Sequence, residues 1–230
     1  MTRHLVRFGG ATAIATILLF RPAPTDAAVL LPGSVVVPNV LSGSAGTLVD
    51  SLTAPLAGVG SITAAVVQNG LGTLDFYYQI ANNAGSGVNL TSNLNLLFRS
   101  VSQVFATSVF YRTDNGGLGI FSSGDAGATP GSASRDPFGL TVMFGFGITQ
   151  INPGETSRVL VIRTNATDYI PGLSFVGDPI VAGAFTFAPA GAAATVPEPA
   201  SLALLSSAFA AAGYLARRRT KRKDPTAAAV

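Results

Sequence analysis

The sequence predicts an all-β fold, an antiparallel two-sheet sandwich, held between two ends that do not belong to it. Three observations carry this expectation. From residue 40 to 187 apolar residues recur mostly at every second position, the repeat of a half-buried strand, and no long amphipathic helix appears. Clusters of Gly, Asn, Asp and Pro punctuate these short runs. The long apolar stretches and most of the positive charge gather instead at the two termini.

Taken in chain order, Ser61–Gln68 is the first strand signal. In the next, Leu74, Phe76, Tyr78 and Ile80 alternate with Asp75, Tyr77 and Gln79. Val88–Phe98 and Phe105–Arg112 follow. In Leu140–Ile148 one face carries Leu140, Val142, Phe144, Phe146 and Ile148, and the other Thr141, Met143, Gly145 and Gly147. The nearly continuous apolar run Val159–Ile162 predicts a strand covered on both sides. Leu173–Val176 and Val181–Phe187 read as a final pair. Turns fall at Asn82–Gly87, Asp114–Gly117 and Asn152–Glu155, where Pro153-Gly154 suits the centre of a type II turn. About eight or nine strands imply two packed sheets; closure into a barrel satisfies the same pattern. The predicted division is a leader at 1–28, the sandwich at 29–187 and an Ala/Pro/Gly linker at 188–196. A tail at 197–223 and a disordered end at 224–230 complete it.

The N-terminus has the three parts of a secretory signal: basic Arg3 and Arg7, an apolar run Phe8–Phe20, and small residues near Ala27 and Ala28. At the other end, Ala200–Ala216 carries no charge and is stopped by Arg217, Arg218 and Arg219, with Lys221 and Lys223 beyond. As a helix this run reaches roughly 25 Å, slightly short of the ~30 Å hydrocarbon core. Arginines left in the cytoplasm stop transfer and put the body on the outer side of the inner membrane, which the segment spans transiently. Pro197 and Pro199 exclude a helix and hold Val196–Pro199 extended.

The chain has 230 residues and a net charge of +3, but that sign belongs to the ends. Between Val29 and Val196 five arginines face eight carboxylates, a formal charge of −3, which gives no basic surface for nucleic acid. There is no cysteine, and His4, the only histidine, lies in the leader. Without His, Cys or Lys in the body, Ser-His-Asp and Cys-His nucleophile systems, Schiff-base lysines and histidine-ligated zinc are excluded. Remaining candidates have plainer readings. Asp114, Asn115 and Asp125 lie in a Gly-rich segment that supplies oxygen ligands for calcium, yet they lack EF-hand spacing and read better as a hairpin tip. Paired carboxylates can hydrolyse sugars, but Glu155 sits in a turn and most aspartates flank Gly or Pro. Tyr77, Tyr78, Phe110 and Tyr111 offer an aromatic sugar-binding face, against the commoner use of such residues as core. No cofactor and no enzymatic activity is expected.

The order Val-Pro-Glu-Pro-Ala-Ser, apolar run, Arg217-Arg218-Arg219 resembles the PEP-CTERM sorting tail of Gram-negative bacteria. The resemblance implies export by the Sec machinery and recognition of Pro197, Glu198 and Pro199 by a membrane exosortase. It also implies delivery to the cell surface or to an exopolysaccharide matrix. A tail of this kind is also labelled the C-terminal domain of ice-binding proteins. Because this body has neither Thr-x-Thr ladders nor repeated short turns, that label describes an address and not an activity. In the body, LDFYYQIANNAGSGVNL and INPGETSRVLVIRT are similar to segments of Ig-like domains of bacterial surface proteins. The function expected from these resemblances is structural or adhesive, within exopolysaccharide, with a carbohydrate- or calcium-binding surface module as the alternative.

Overall fold

A computed structural model describes residues 28–96, 105–177 and 181–192. The expected leader 1–28, apart from Ala28, the sorting tail 197–223 and the end 224–230 lie outside the described residues. The described residues contain thirteen strands: β1 Ala28–Val29, β2 Val35–Val36, β3 Asn39–Val40, β4 Thr47–Leu56, β5 Gly60–Gln68, β6 Leu74–Asn82 and β7 Ser92–Leu96. After these come β8 Thr107–Arg112, β9 Ser132–Arg135, β10 Thr141–Gly145, β11 Val159–Thr164, β12 Ala166–Gly177 and β13 Val181–Ala192. They form a seven-stranded sheet in the order β1-β8-β11-β6-β5-β4, with β3 also pairing β8, and a six-stranded sheet in the order β13-β12-β7-β10-β9-β2. All pairs are antiparallel except β3 with β8. The fold is the expected two-sheet sandwich.

The main core fills the space between the sheets. Val66, Phe76, Tyr78, Ile80, Leu160 and Ile162 from the first sheet meet Ala133, Val142, Phe144, Val176 and Phe187 from the second. Period-two alternation puts every second residue of each strand into this layer. Burying such side chains stabilises by about 1.5–3 kcal/mol each. Tyr78 is wholly buried because its hydroxyl finds a partner, donating to the Phe187 carbonyl at 2.8 Å.

A second, smaller cluster lies on the outer side of the first sheet. Ala65, Val67, Tyr77, Phe110, Val159 and Val161 pack there under Ala45 and Phe121, with Leu41 and Leu118 at the margin. Loops before β4 and after β8 therefore roof this face, which explains why β11 is apolar at consecutive positions. Phe121 stacks on Tyr77 with ring centroids 6.2 Å apart.

Two expectations need correction. The stretch predicted as a linker from residue 188 is strand as far as Ala192: Ala188, Pro189, Ala190 and Ala192 pair with Ile170, Tyr169, Asp168 and Ala166. β13 terminates its sheet, and an edge strand tolerates Pro189, which has no N–H to donate. Residues 193–196 of that stretch lie outside the described residues. Ile148, placed inward by alternation, is fully exposed. The strand stops at Gly145, and the chain turns at Gly147, whose φ of 56° is left-handed, with the Thr149 amide donating to the Phe146 carbonyl.

Candidate functional site

The chemistry-bearing side chains of the body are few, and the fold gives each a local partner. On the outer side of β8, Arg112 is buried and its Nε donates to Asp114 Oδ1 at 2.8 Å, while Nη2 reaches Asp114 Oδ2 at 3.2 Å and the Gly43 carbonyl. Asp114 Oδ1 also accepts the Gly116 amide at 3.0 Å, so one carboxylate closes the turn after β8 and holds the guanidinium. The segment is a crossover between the two sheets and not the expected hairpin tip, because β8 and β9 belong to different sheets. The hydrogen bond from Arg112 holds the Asp114 carboxyl below the usual carboxylate range. Gly116 is required there: its φ is +65°, and a Cβ would lie 3.0 Å from Arg112 Nε.

Asp75 on β6 is buried and receives Arg163 Nε at 3.0 Å and Asn69 Nδ2 at 2.8 Å. Burial nevertheless raises its carboxyl, because desolvation outweighs the nearby guanidinium. Arg163 also covers the Phe110 ring, 5.2 Å from its centroid. Next to Asp75 in sequence, the buried Tyr77 hydroxyl makes no well-formed hydrogen bond, and its polar neighbour is the Arg112 guanidinium. Burial first, and then the Asp75 charge, push its phenol up to about 12 against the pull of Arg112 and Arg163.

Arg135 at the end of β9 is buried with carbonyls alone as hydrogen-bond partners. Nη1 donates to Phe105 at 3.0 Å and Leu30 at 3.3 Å, and Nη2 to Gly139 at 3.2 Å. It thereby ties the start of the body to the β9–β10 turn. Asp136 caps that turn, accepting the Phe138 amide at 2.7 Å, the Thr141 hydroxyl at 2.8 Å and the Thr141 amide.

The candidates read from sequence are not brought together. Asp125 is tied across to β11's approach, where its Oδ2 accepts the Thr156 amide at 2.6 Å, and Asn115 Oδ1 accepts the Gly117 amide at 3.0 Å. With Asp114 held by Arg112, the three serve separate turns, and among the described residues no group of three or more His, Cys, Asp or Glu is placed to hold a metal. Glu155 closes its own turn on Asn152, at 2.9 Å to both backbone and side-chain nitrogen. The aromatic residues take the commoner of their two readings: Tyr77, Tyr78 and Phe110 are buried and Tyr111 half-buried, because loops roof the outer sheet face and Tyr78 points into the core. The buried Arg112 and Arg135 were missed as organising residues; lone arginines beside turn glycines leave no periodic signal.

The remaining candidate is the tail. β13 delivers the chain to Ala192, and Pro197 follows five residues later, so the last described strand ends just short of the Pro-Glu-Pro stretch in sequence. Residues 195–219 match the PEP-CTERM protein-sorting motif. The PEP-CTERM segment contains Pro197, Glu198, Pro199 and Arg217, Arg218, Arg219, so the expected sorting and stop-transfer residues all fall inside it. Comparison with curated proteins and with solved structures found no match. PEP-CTERM marks a protein for export, for processing by exosortase and for membrane-associated sorting toward the cell surface. Among the described residues no helix is long and apolar enough to cross a membrane; the expected span 200–216 lies outside them.

Proposed function

We propose that this chain is a non-enzymatic surface protein of a Gram-negative bacterium, exported by the Sec machinery through a cleaved leader and processed by exosortase at the inner membrane. Its β-sandwich then serves a structural or adhesive role in an exopolysaccharide matrix. The observation that carries the reading is the PEP-CTERM motif at 195–219, joined almost directly to a folded all-β body. Support for a non-catalytic body comes from its chemistry: it lacks His, Cys and Lys, and Asp75, Asp114, Asp125, Asp136 and Glu155 are each engaged in a turn, an ion pair or a backbone contact.

The matrix role is tested by fractionating a producing host. The processed body is expected in the polysaccharide fraction, and it should move to the medium when polysaccharide synthesis is deleted. Equal distribution in both strains would refute the matrix assignment.

A further inference from the structure

We infer that one end of the sandwich is a lipid-contacting surface, in which the turn-tip residues Leu71, Phe138 and Leu31 rest on the bilayer while the tail is anchored. The inference rests on the reading of the tail as a transient membrane anchor.

Topology places these tips together. Across the first sheet, the Leu30 amide donates to Thr107, Thr107 pairs Thr164, Arg163 pairs Asp75, and Gln68 pairs Leu74. This row marks one end of the strands. The Leu31–Ser34 turn and the Asn69–Thr73 turn both project beyond it, carrying Leu31 and Leu71. One residue separates Thr164 from Ala166, which pairs with Ala192, so the exit of β13 is at the same end. The Asp136–Gly139 turn joins them: the Gly33 amide donates to the Arg135 and Asp136 carbonyls at 3.1 Å, and Arg135 Nη1 reaches the Leu30 carbonyl. The buried guanidinium thus fixes Leu31 and Phe138 on neighbouring turns.

These tips are apolar where turns are ordinarily polar. Leu71 is 86% exposed, Phe138 68% and Leu31 63%. Single exposed apolar residues are ordinary; here Leu31 and Phe138 on neighbouring turns and Leu71 across the sheet all project from the same end, as residues that together meet a flat apolar layer would. The length of chain selects its occupant. Residues 193–196 span at most roughly 14 Å when fully extended, and Pro197 then begins the motif that is handled at the membrane. The end of the body that carries Ala192 is held against the bilayer, and its Leu and Phe side chains meet lipid and not water. Among the described residues at this end, Arg135 is held by carbonyls, Asp136 by its own turn and Arg163 by Asp75, while Asp168 beside the β13 exit is exposed and disfavours an anionic surface. Apolar contact with zwitterionic lipid is therefore the expected chemistry.

The chain has no cysteine, so single-cysteine labels are specific. Full-length Leu71→Cys, Phe138→Cys and Ile148→Cys chains, each carrying an environment-sensitive fluorophore, are reconstituted into phosphatidylcholine vesicles containing a headgroup-nitroxide phosphatidylcholine. Ile148 is the control, since it projects from the opposite end, about 30 Å away along nine-residue strands. The expected result is strong quenching and a blue shift at positions 71 and 138, with neither at 148. Chains that float with the vesicles but show equal quenching at all three positions overturn the lipid contact alone and leave the anchored tail standing. Chains that fail to float overturn the anchored tail and this inference with it.

Discussion

Removing the Asp114 carboxylate is expected to destabilise the body more than removing the arginine it holds. Arg112 is buried, whereas the Asp114 side chain is 57% exposed. Asp114→Ala leaves the guanidinium in place with the Gly43 carbonyl as its remaining acceptor; Nη1 already has no partner. Hydrogen bonds to charged groups contribute about 1.5–3 kcal/mol, and the exposure of Asp114 puts the expected loss near 2 kcal/mol, at the lower half of that range. Arg112→Met deletes the charge along with its unmet donor and keeps apolar volume near Ala45, while Asp114 regains water. That change is expected to cost about 1 kcal/mol or less, since a buried ion can be replaced by an apolar residue at little cost. With m values of about 1–3 kcal/mol/M, Asp114→Ala lowers the urea midpoint by roughly 1 M. The assay is urea unfolding followed by circular dichroism. The pH dependence has a fixed sign. A carboxyl depressed by the folded state contributes stability that is present above its unfolded value and lost as pH falls through its folded value, so Arg112→Met should flatten the acid decline below about pH 4. If Arg112→Met proves more damaging than Asp114→Ala, the argument from an orphaned buried charge is refuted.

Other outcomes follow from the same physics. Tyr77→Phe removes a buried hydroxyl that makes no well-formed hydrogen bond beside the Arg112 guanidinium, and should change stability by less than about 1 kcal/mol; a larger loss would mean that the two are firmly bonded. Asp75 has a raised carboxyl, so its contribution to stability falls as pH rises above the unfolded value of about 4. The melting temperature of Asp75→Asn relative to the unmodified chain should therefore climb as pH rises above about 4, and a flat difference would contradict the sign. Gly116→Ala should cost about 1–3 kcal/mol through its left-handed φ and the approach of Arg112, measured as a shift in urea midpoint.

Legibility in the sequence followed physical cause. β5, β6, β10 and β11 were readable because alternation or a continuous β-branched run is the direct imprint of one or two covered faces. β4 was not, since only Leu52, Ala54 and Leu56 at its far end face the core, while Asp50, Pro55 and a register shift between Leu48 and Asp50 interrupt the pattern along this edge strand. β9, Ser132–Arg135, contributes only Ala133 to the core, and its charged end is buried by carbonyls that come from distant segments. The end of β13 looked like linker because Ala, Pro and Gly pack at an edge without hydrophobic bulk. Tyr77 showed the limit of alternation: its position faces outward, but loops from residues 41–45 and 118–121 cover it. The type II turn at Asn152–Glu155 was legible to the residue, with Gly154 at a φ of 88° and the Glu155 amide donating to the Asn152 carbonyl. The sorting tail was legible for a different reason, since a linear motif read by a membrane enzyme must be written in consecutive residues.

The most direct measurement is the intact mass of the chain recovered from an exosortase-containing host, for the natural sequence and for Pro197, Glu198 and Pro199 replaced together by alanine. The account predicts a natural product shortened near Pro197 and an alanine form that keeps residues 200–223 and stays with the membrane. Identical masses and identical release for the two chains would contradict it.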